Sequence, residues 1–67
     1  MWLKGVSFKE TRTVDGVEVE IIELLWADGS RSFEFVDAQA QELIGFTDSM
    51  PSDTSLQGLV RTYLMRS

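Results

Sequence analysis

The charged side chains that could do acid–base work in this chain are eleven carboxylates and six cations, with neither histidine nor cysteine. That inventory closes several routes to catalysis. A Ser-His-Asp or Cys-His arrangement cannot be assembled. A Ser-Lys pair would have to use Lys4 or Lys9, both on a segment of alternating exposure, whereas a nucleophilic lysine needs a desolvated setting. Glu18 and Glu20 are two residues apart, which puts both on one side of a strand, as a carboxylate dyad requires. A domain of 67 residues has little room for the cleft of roughly 300 Å³ or more that a substrate site needs. We therefore read these glutamates as solvated and expect no catalytic residues.

Cofactor and metal chemistry fare no better. Gly5, Gly16, Gly29, Gly45 and Gly58 are isolated from one another, so no phosphate-cradling loop can be read. A zinc site would have to use carboxylates alone. Asp28-Gly29-Ser30 lacks the ligand series of a calcium loop. The expectation is no cofactor and no bound metal.

What remains is recognition. The net charge of −5 would repel phosphates from most of the surface. Arg31, Arg61 and Arg66 are the only support for an alternative reading as a weak nucleic-acid-binding protein. Phe33 and Phe35 are flanked by Glu34 and Asp37, so they suit a core better than a base-stacking platform. Trp2 precedes the first core positions and suits an interface, where tryptophan is enriched. The acidic balance either keeps the protein soluble or mimics the charge of nucleic acid on a basic partner.

These residues must be held by elements that the hydrophobic pattern outlines. Asp15-Gly16 and Asp28-Gly29 each separate β-rich segments, a hairpin signal. We expect three antiparallel strands, at 3–12, 17–27 and 30–36, joined as a meander. A three-residue loop at Val14-Asp15-Gly16 sets Phe8 opposite Ile22 and Val6 opposite Leu24. A two-residue turn at Asp28-Gly29 sets Leu24 opposite Phe33 and Ile22 opposite Phe35. This register gathers Val6, Phe8, Ile22, Leu24, Trp26, Phe33 and Phe35 on one side, which becomes the expected core. Val17, Val19, Ile21 and Leu25 then fall on the reverse.

After the third strand, Asp37 is a good N-cap for a short helix at 38–45, with Gly45 as its terminator. A second helix at 54–65, capped by Thr54 or Ser52, is marked by Leu56, Leu59, Val60, Tyr63 and Leu64 at helical spacing. The expected fold is thus a single α+β domain over 1–67: a three-stranded antiparallel β-meander followed by two C-terminal α-helices packed on one sheet face.

So small a core is marginal by itself, which favours self-association or a partner. The start, Met1-Trp2-Leu3-Lys4-Gly5, has no signal-peptide pattern, and no apolar run reaches the ~20 residues of a membrane span. The expected location is cytoplasmic, with no membrane partner. We expect a non-catalytic, acidic protein–protein interaction module, an accessory or inhibitory protein of bacterial or phage type. A self-assembling subunit or homodimer is the alternative. The expected partner-binding residues are Trp2, Val17, Val19, Ile21 and Leu25, with Glu18 and Glu20 on the rim.

Overall fold

A computed structural model describes residues 2–66. It contains four strands and one helix: β1 (Leu3–Val14), β2 (Val17–Trp26), β3 (Arg31–Asp37), β4 (Glu42–Thr47) and α1 (Asp53–Met65). The strands form one antiparallel sheet in the order β1-β2-β3-β4. This corrects the expectation of three strands and two helices. The segment expected as the first helix, 38–45, is a turn that leads into β4.

The capping chemistry anticipated at Asp37 is present, but it supports a single turn. Its Oδ1 accepts from the amides of Gln39 at 3.0 Å and Ala40 at 3.2 Å, and its carbonyl accepts from the Gln41 amide at 2.8 Å. Gln41 then takes the left-handed region at φ 56°, which stops helical propagation. The residues that follow include Leu43, Ile44, Phe46 and Thr47, a composition that fits a pleated, half-buried strand. Gly45 does not end a helix. It lies in β4 where α1 crosses, and a Cβ there would stand 3.3 Å from Leu59 Cδ2.

The two hairpins exchange the loop lengths expected of them. Asp15 (φ 48°) and Gly16 (φ 80°) form a two-residue turn between Val14 and Val17, with positive φ at both positions as a type I′ turn requires. The extra residue on β1 sits further along, at Lys9, where pairing shifts between Phe8/Ile22 and Glu10/Ile21. The expected pairs Phe8–Ile22 and Val6–Leu24 are therefore found, although the bulge that produces them lies inside the strand. The second loop has three residues. The Gly29 amide donates to the Trp26 carbonyl at 3.0 Å, and the Trp26 amide donates to the Ser30 carbonyl at 2.9 Å. Asp28 Oδ1 accepts from the Ser30 amide and hydroxyl, which fixes the bend.

That one added residue slips β3 against β2. Phe33 lies opposite Glu23 and Phe35 opposite Ile21, in place of Leu24 and Ile22. A one-residue slip moves every side chain of a strand to the other side of its neighbour. The core face is therefore Val19, Ile21, Phe33 and Phe35, and the expected assignment of faces is reversed.

Helix α1 seals this face. Ser52 is its N-cap, with the hydroxyl accepting from the Ser55 amide at 3.2 Å. Leu56 and Val60, four residues apart, are fully buried, as are Val19, Ile21 and Phe35, and Phe33 and Ile44 are buried in the same cluster. Val14, Val17, Leu59 and Tyr63 border the cluster. Polar clamps fix the crossing. Arg12 Nη1 donates to Asp53 Oδ1 at 3.0 Å, Arg61 Nε to Asp15 Oδ2 at 3.2 Å, and the Tyr63 hydroxyl to Asp37 Oδ2 at 2.7 Å. No helix among the described residues is long and apolar enough to cross a membrane.

Candidate functional site

Side chains opposite one another in an antiparallel sheet share a face. The face turned away from α1 can therefore be read from the pairing: Val6, Leu24 and Ser32 in one row; Phe8, Ile22, Glu34 and Phe46 in the next; then Thr11, Glu20, Val36 and Leu43. Trp26 continues the face on β2, and its indole Nε1 donates across it to Ser32 Oγ at 2.8 Å. The indole roofs this corner, where Leu24 and Ser32 are buried.

The rest of the face is open. Val6 is 60% exposed, Phe8 59%, Leu43 56% and Phe46 49%, while Ile22 and Val36 are half-buried. At about 150–250 Å² per large side chain, this is roughly 500 Å² of accessible apolar surface. The largest apolar patch on an ordinary monomer covers about 300–600 Å² and is often functional.

The charged groups that the pairing places on the open face are acidic. Glu20 and Glu34 are half-buried within it, and Glu18 is exposed beside Thr13. The cations lie elsewhere. Lys9 and Arg31 both meet Glu23 on the helix side, at 3.3 and 3.7 Å. Arg12 bridges Glu10 at 2.7 Å and Asp53, and Arg61 holds Asp15. Arg66 reaches the Ile44 carbonyl at 3.4 Å. Lys4 lies at the far corner, beside Trp2 and Ala27. Among the described residues, no ion pair reaches Glu18, Glu20 or Glu34.

The perturbed titrations belong to the clamps. The Asp37 carboxyl is held below its ordinary value of 3.8, first by the Tyr63 hydroxyl and then by the Ala40 amide. Tyr63 is pushed up to about 12, chiefly because its proton is donated to Asp37. Glu10 is lowered by its hydrogen bond to Arg12, and Asp28 by Ser30. These shifts come from structural hydrogen bonds, not from a buried reactive centre. A hollow of about 530 Å³, more than the chain length led us to expect, is an open, polar concavity between the first hairpin and the start of α1, bounded by Arg12, Asp15, Asp53 and Gln57.

The residues expected to bind a partner divide between the faces. Val19 and Ile21 are fully buried beneath α1, and Val17 packs against the same core, so the slip of β3 has turned this stripe inward. Leu25 is half-buried on the helix side, opposite Gly5 and Arg31. Glu18 and Glu20 lie on the open face. Trp2 is 78% exposed just before β1, where its carbonyl accepts from the Ala27 amide. Of the alternative nucleic-acid residues, Arg31 and Arg61 are ion-paired and Arg66 is spent on a carbonyl. Sequence reasoning missed Val6, Phe8, Leu43 and Phe46 as surface residues. The alternation of β1 signalled the first pair, but they were assigned to the core; reading 42–47 as a strand would have found the second.

No protein-family model matches the chain, and no curated protein or solved structure matches it either.

Proposed function

We propose that this protein is a non-catalytic protein–protein interaction module whose contact surface is the open face of its sheet. One observation carries the reading: Val6, Phe8 and Phe46 stand exposed on the sheet face opposite α1. Sheets pack one face on a core, and the solvated face of such a sheet ordinarily carries polar residues. Here the second face carries aromatic and branched aliphatic side chains, with glutamates among them.

The edges are poorer docking sites. β1 is irregular at two places, between Leu3 and Gly5 and between Phe8 and Glu10, and β4 is irregular against Phe35/Val36. Bulges and lysines blunt an edge against strand addition. An accessory or inhibitory role on a larger partner, in the cytoplasm, accords with the small size and acidic charge. An acidic binder would be steered onto a basic surface, with an association rate that falls as salt rises.

The test is a double substitution, Phe8→Asp with Phe46→Asp. The variant should fold, because both side chains are largely exposed, and should lose a partner that wild type retains from cells of the host. If both proteins retain the same partners at the same yield, the contact surface lies elsewhere.

A further inference from the structure

The charges on the open face say what kind of surface should cover it. Glu20 and Glu34 sit half-buried on this face, diagonal neighbours across the β2/β3 pair. Glu34 lies between Ile22 and Phe46, and Glu20 between Thr11 and Val36. A partner that covered Phe8, Ile22 and Phe46 would take both carboxylates out of water. Burying an ionised carboxylate without an opposite charge is strongly unfavourable.

The cations of this protein are poorly placed to supply those charges: Lys4 lies at the far corner of the sheet beside Trp2 and Ala27. Arg12 and Arg31 lie on the helix side by their pairing with Val19 and Leu25, and Lys9 is held there by Glu23. A second copy is therefore a poor occupant. In a two-fold interface the same patch meets itself. Glu18, Glu20 and Glu34 would then face their own counterparts between chains that each carry −5. The apolar area, roughly 500 Å², also falls short of the ~800 Å² per partner of a standard interface, so a symmetric dimer would have to bury the glutamates as well.

We infer that the occupant is a cationic amphipathic helix of another protein, with an apolar stripe on Val6, Phe8, Ile22 and Phe46 and Lys or Arg side chains reaching Glu20 and Glu34. The dimensions fit. Four strands at about 4.8 Å spacing give a face some 14 Å across between outer strands. A helix with its side chains is about 10–12 Å wide. α1 already covers the other face in this manner, so the bound helix completes a helix–sheet–helix stack. This inference rests on the reading of the open face as the contact surface, and it adds the charge and shape of the partner.

The experiment uses two synthetic helical peptides of matched length. One carries leucine on one stripe with lysine beside it, and the other has glutamate in place of lysine. Trp26 lies on the open face, so its fluorescence reports binding in a Trp2→Phe background that removes the other tryptophan. The lysine peptide should bind, with affinity falling as salt rises. Glu20→Lys with Glu34→Lys should weaken it roughly tenfold or more through like-charge contact. Glu42→Lys, opposite Asp37 on the helix side, with Asp53→Lys, in the first turn of α1, changes net charge equally away from the face and should weaken it far less.

Equal loss in both charge variants would overturn the inference, because net charge alone would then explain the binding. Equal binding of the two peptides would overturn it too; if Phe8→Asp with Phe46→Asp then abolishes both, the open face remains the contact surface with a different partner chemistry. Peptide binding indifferent to Phe8→Asp with Phe46→Asp would sink the inference and the underlying reading together. Self-association at micromolar concentration, lost in the same aspartate variant, would make a second copy the occupant instead.

Discussion

Ile21 and Ile22 are adjacent, chemically identical and on opposite sides of the sheet, so alanine at each in turn tests the assignment of faces. Ile21 is fully buried beneath α1, opposite Phe35. Its replacement deletes three carbons, about 2.4 kcal/mol at ~0.8 kcal/mol per buried CH₂. The cavity left beside Phe35 raises the expected loss to about 3–4 kcal/mol, within the ~2–5 kcal/mol usual for such truncations. A chain of this length has roughly 3–10 kcal/mol in total. Ile21→Ala should therefore lower the melting temperature by ~12–30 °C, at about 4–8 °C per kcal/mol, or prevent folding. Ile22 is half-buried on the open face, opposite Phe8 and Glu34. Its truncation should cost under about 1.5 kcal/mol, since part of its surface already faces water. Urea unfolding followed by circular dichroism measures both. A loss at Ile22 equal to or larger than that at Ile21 would mean that the faces are assigned the wrong way round.

Further outcomes follow from the clamps and caps. Tyr63 is the single tyrosine, so alkaline absorbance titration of the native protein reads it alone; its midpoint should lie near 12, against an ordinary 10.0. Because the folded value is raised, the stability from the Tyr63–Asp37 bond is fully present below pH 10 and lost as pH rises through about 12. Tyr63→Phe should flatten stability across that interval, and an unchanged slope would count against the bond. Asp37 is shifted the other way, so its contribution is present above its ordinary 3.8 and lost as pH falls through the lower folded value; Asp37→Asn should blunt acid destabilisation measured by the same melts. Ser52→Ala removes the N-cap and should cost about 1 kcal/mol by urea unfolding. Gly16→Ala, at φ 80° in a two-residue turn, should cost of order 1 kcal/mol or more through backbone strain; a neutral effect would argue against the type I′ turn.

Several elements were readable from the sequence because their signals were local. The stripe Leu56, Leu59, Val60 and Tyr63 marks α1, and Ser52 caps it as one of the two residues considered. The Asp-Gly dipeptides mark both hairpins. Loop length was not readable, because Asp-Gly suits a two-residue I′ turn and a three-residue loop with glycine in the left-handed region equally well. Burial could not break the tie. β2 is apolar on both sides, with Val17, Val19 and Ile21 on one and Ile22, Leu24 and Trp26 on the other. Either register of β3 therefore places Phe33 and Phe35 against a plausible core, and only the loop geometry decides. At residues 38–45 an authentic cap at Asp37 suggested a helix, while the strand character of 42–47 was carried by four residues around a glycine.

The contact surface was half legible for the same reason. Glu18 and Glu20 alternate with the odd-numbered valines of β2, so they reach the open face only because the observed register turns Val19 and Ile21 inward. Val19 and Ile21 changed sides with the register of β3. Phe46 could join the surface only once β4 existed as a strand.

Amide chemical-shift mapping during titration with the cationic helical peptide tests the contact surface most directly. The account predicts that the largest changes fall on Val6, Phe8, Ile22, Glu34 and Phe46, with α1 nearly still. Changes concentrated on α1 and its contacts with Arg12 and Asp15 would contradict it.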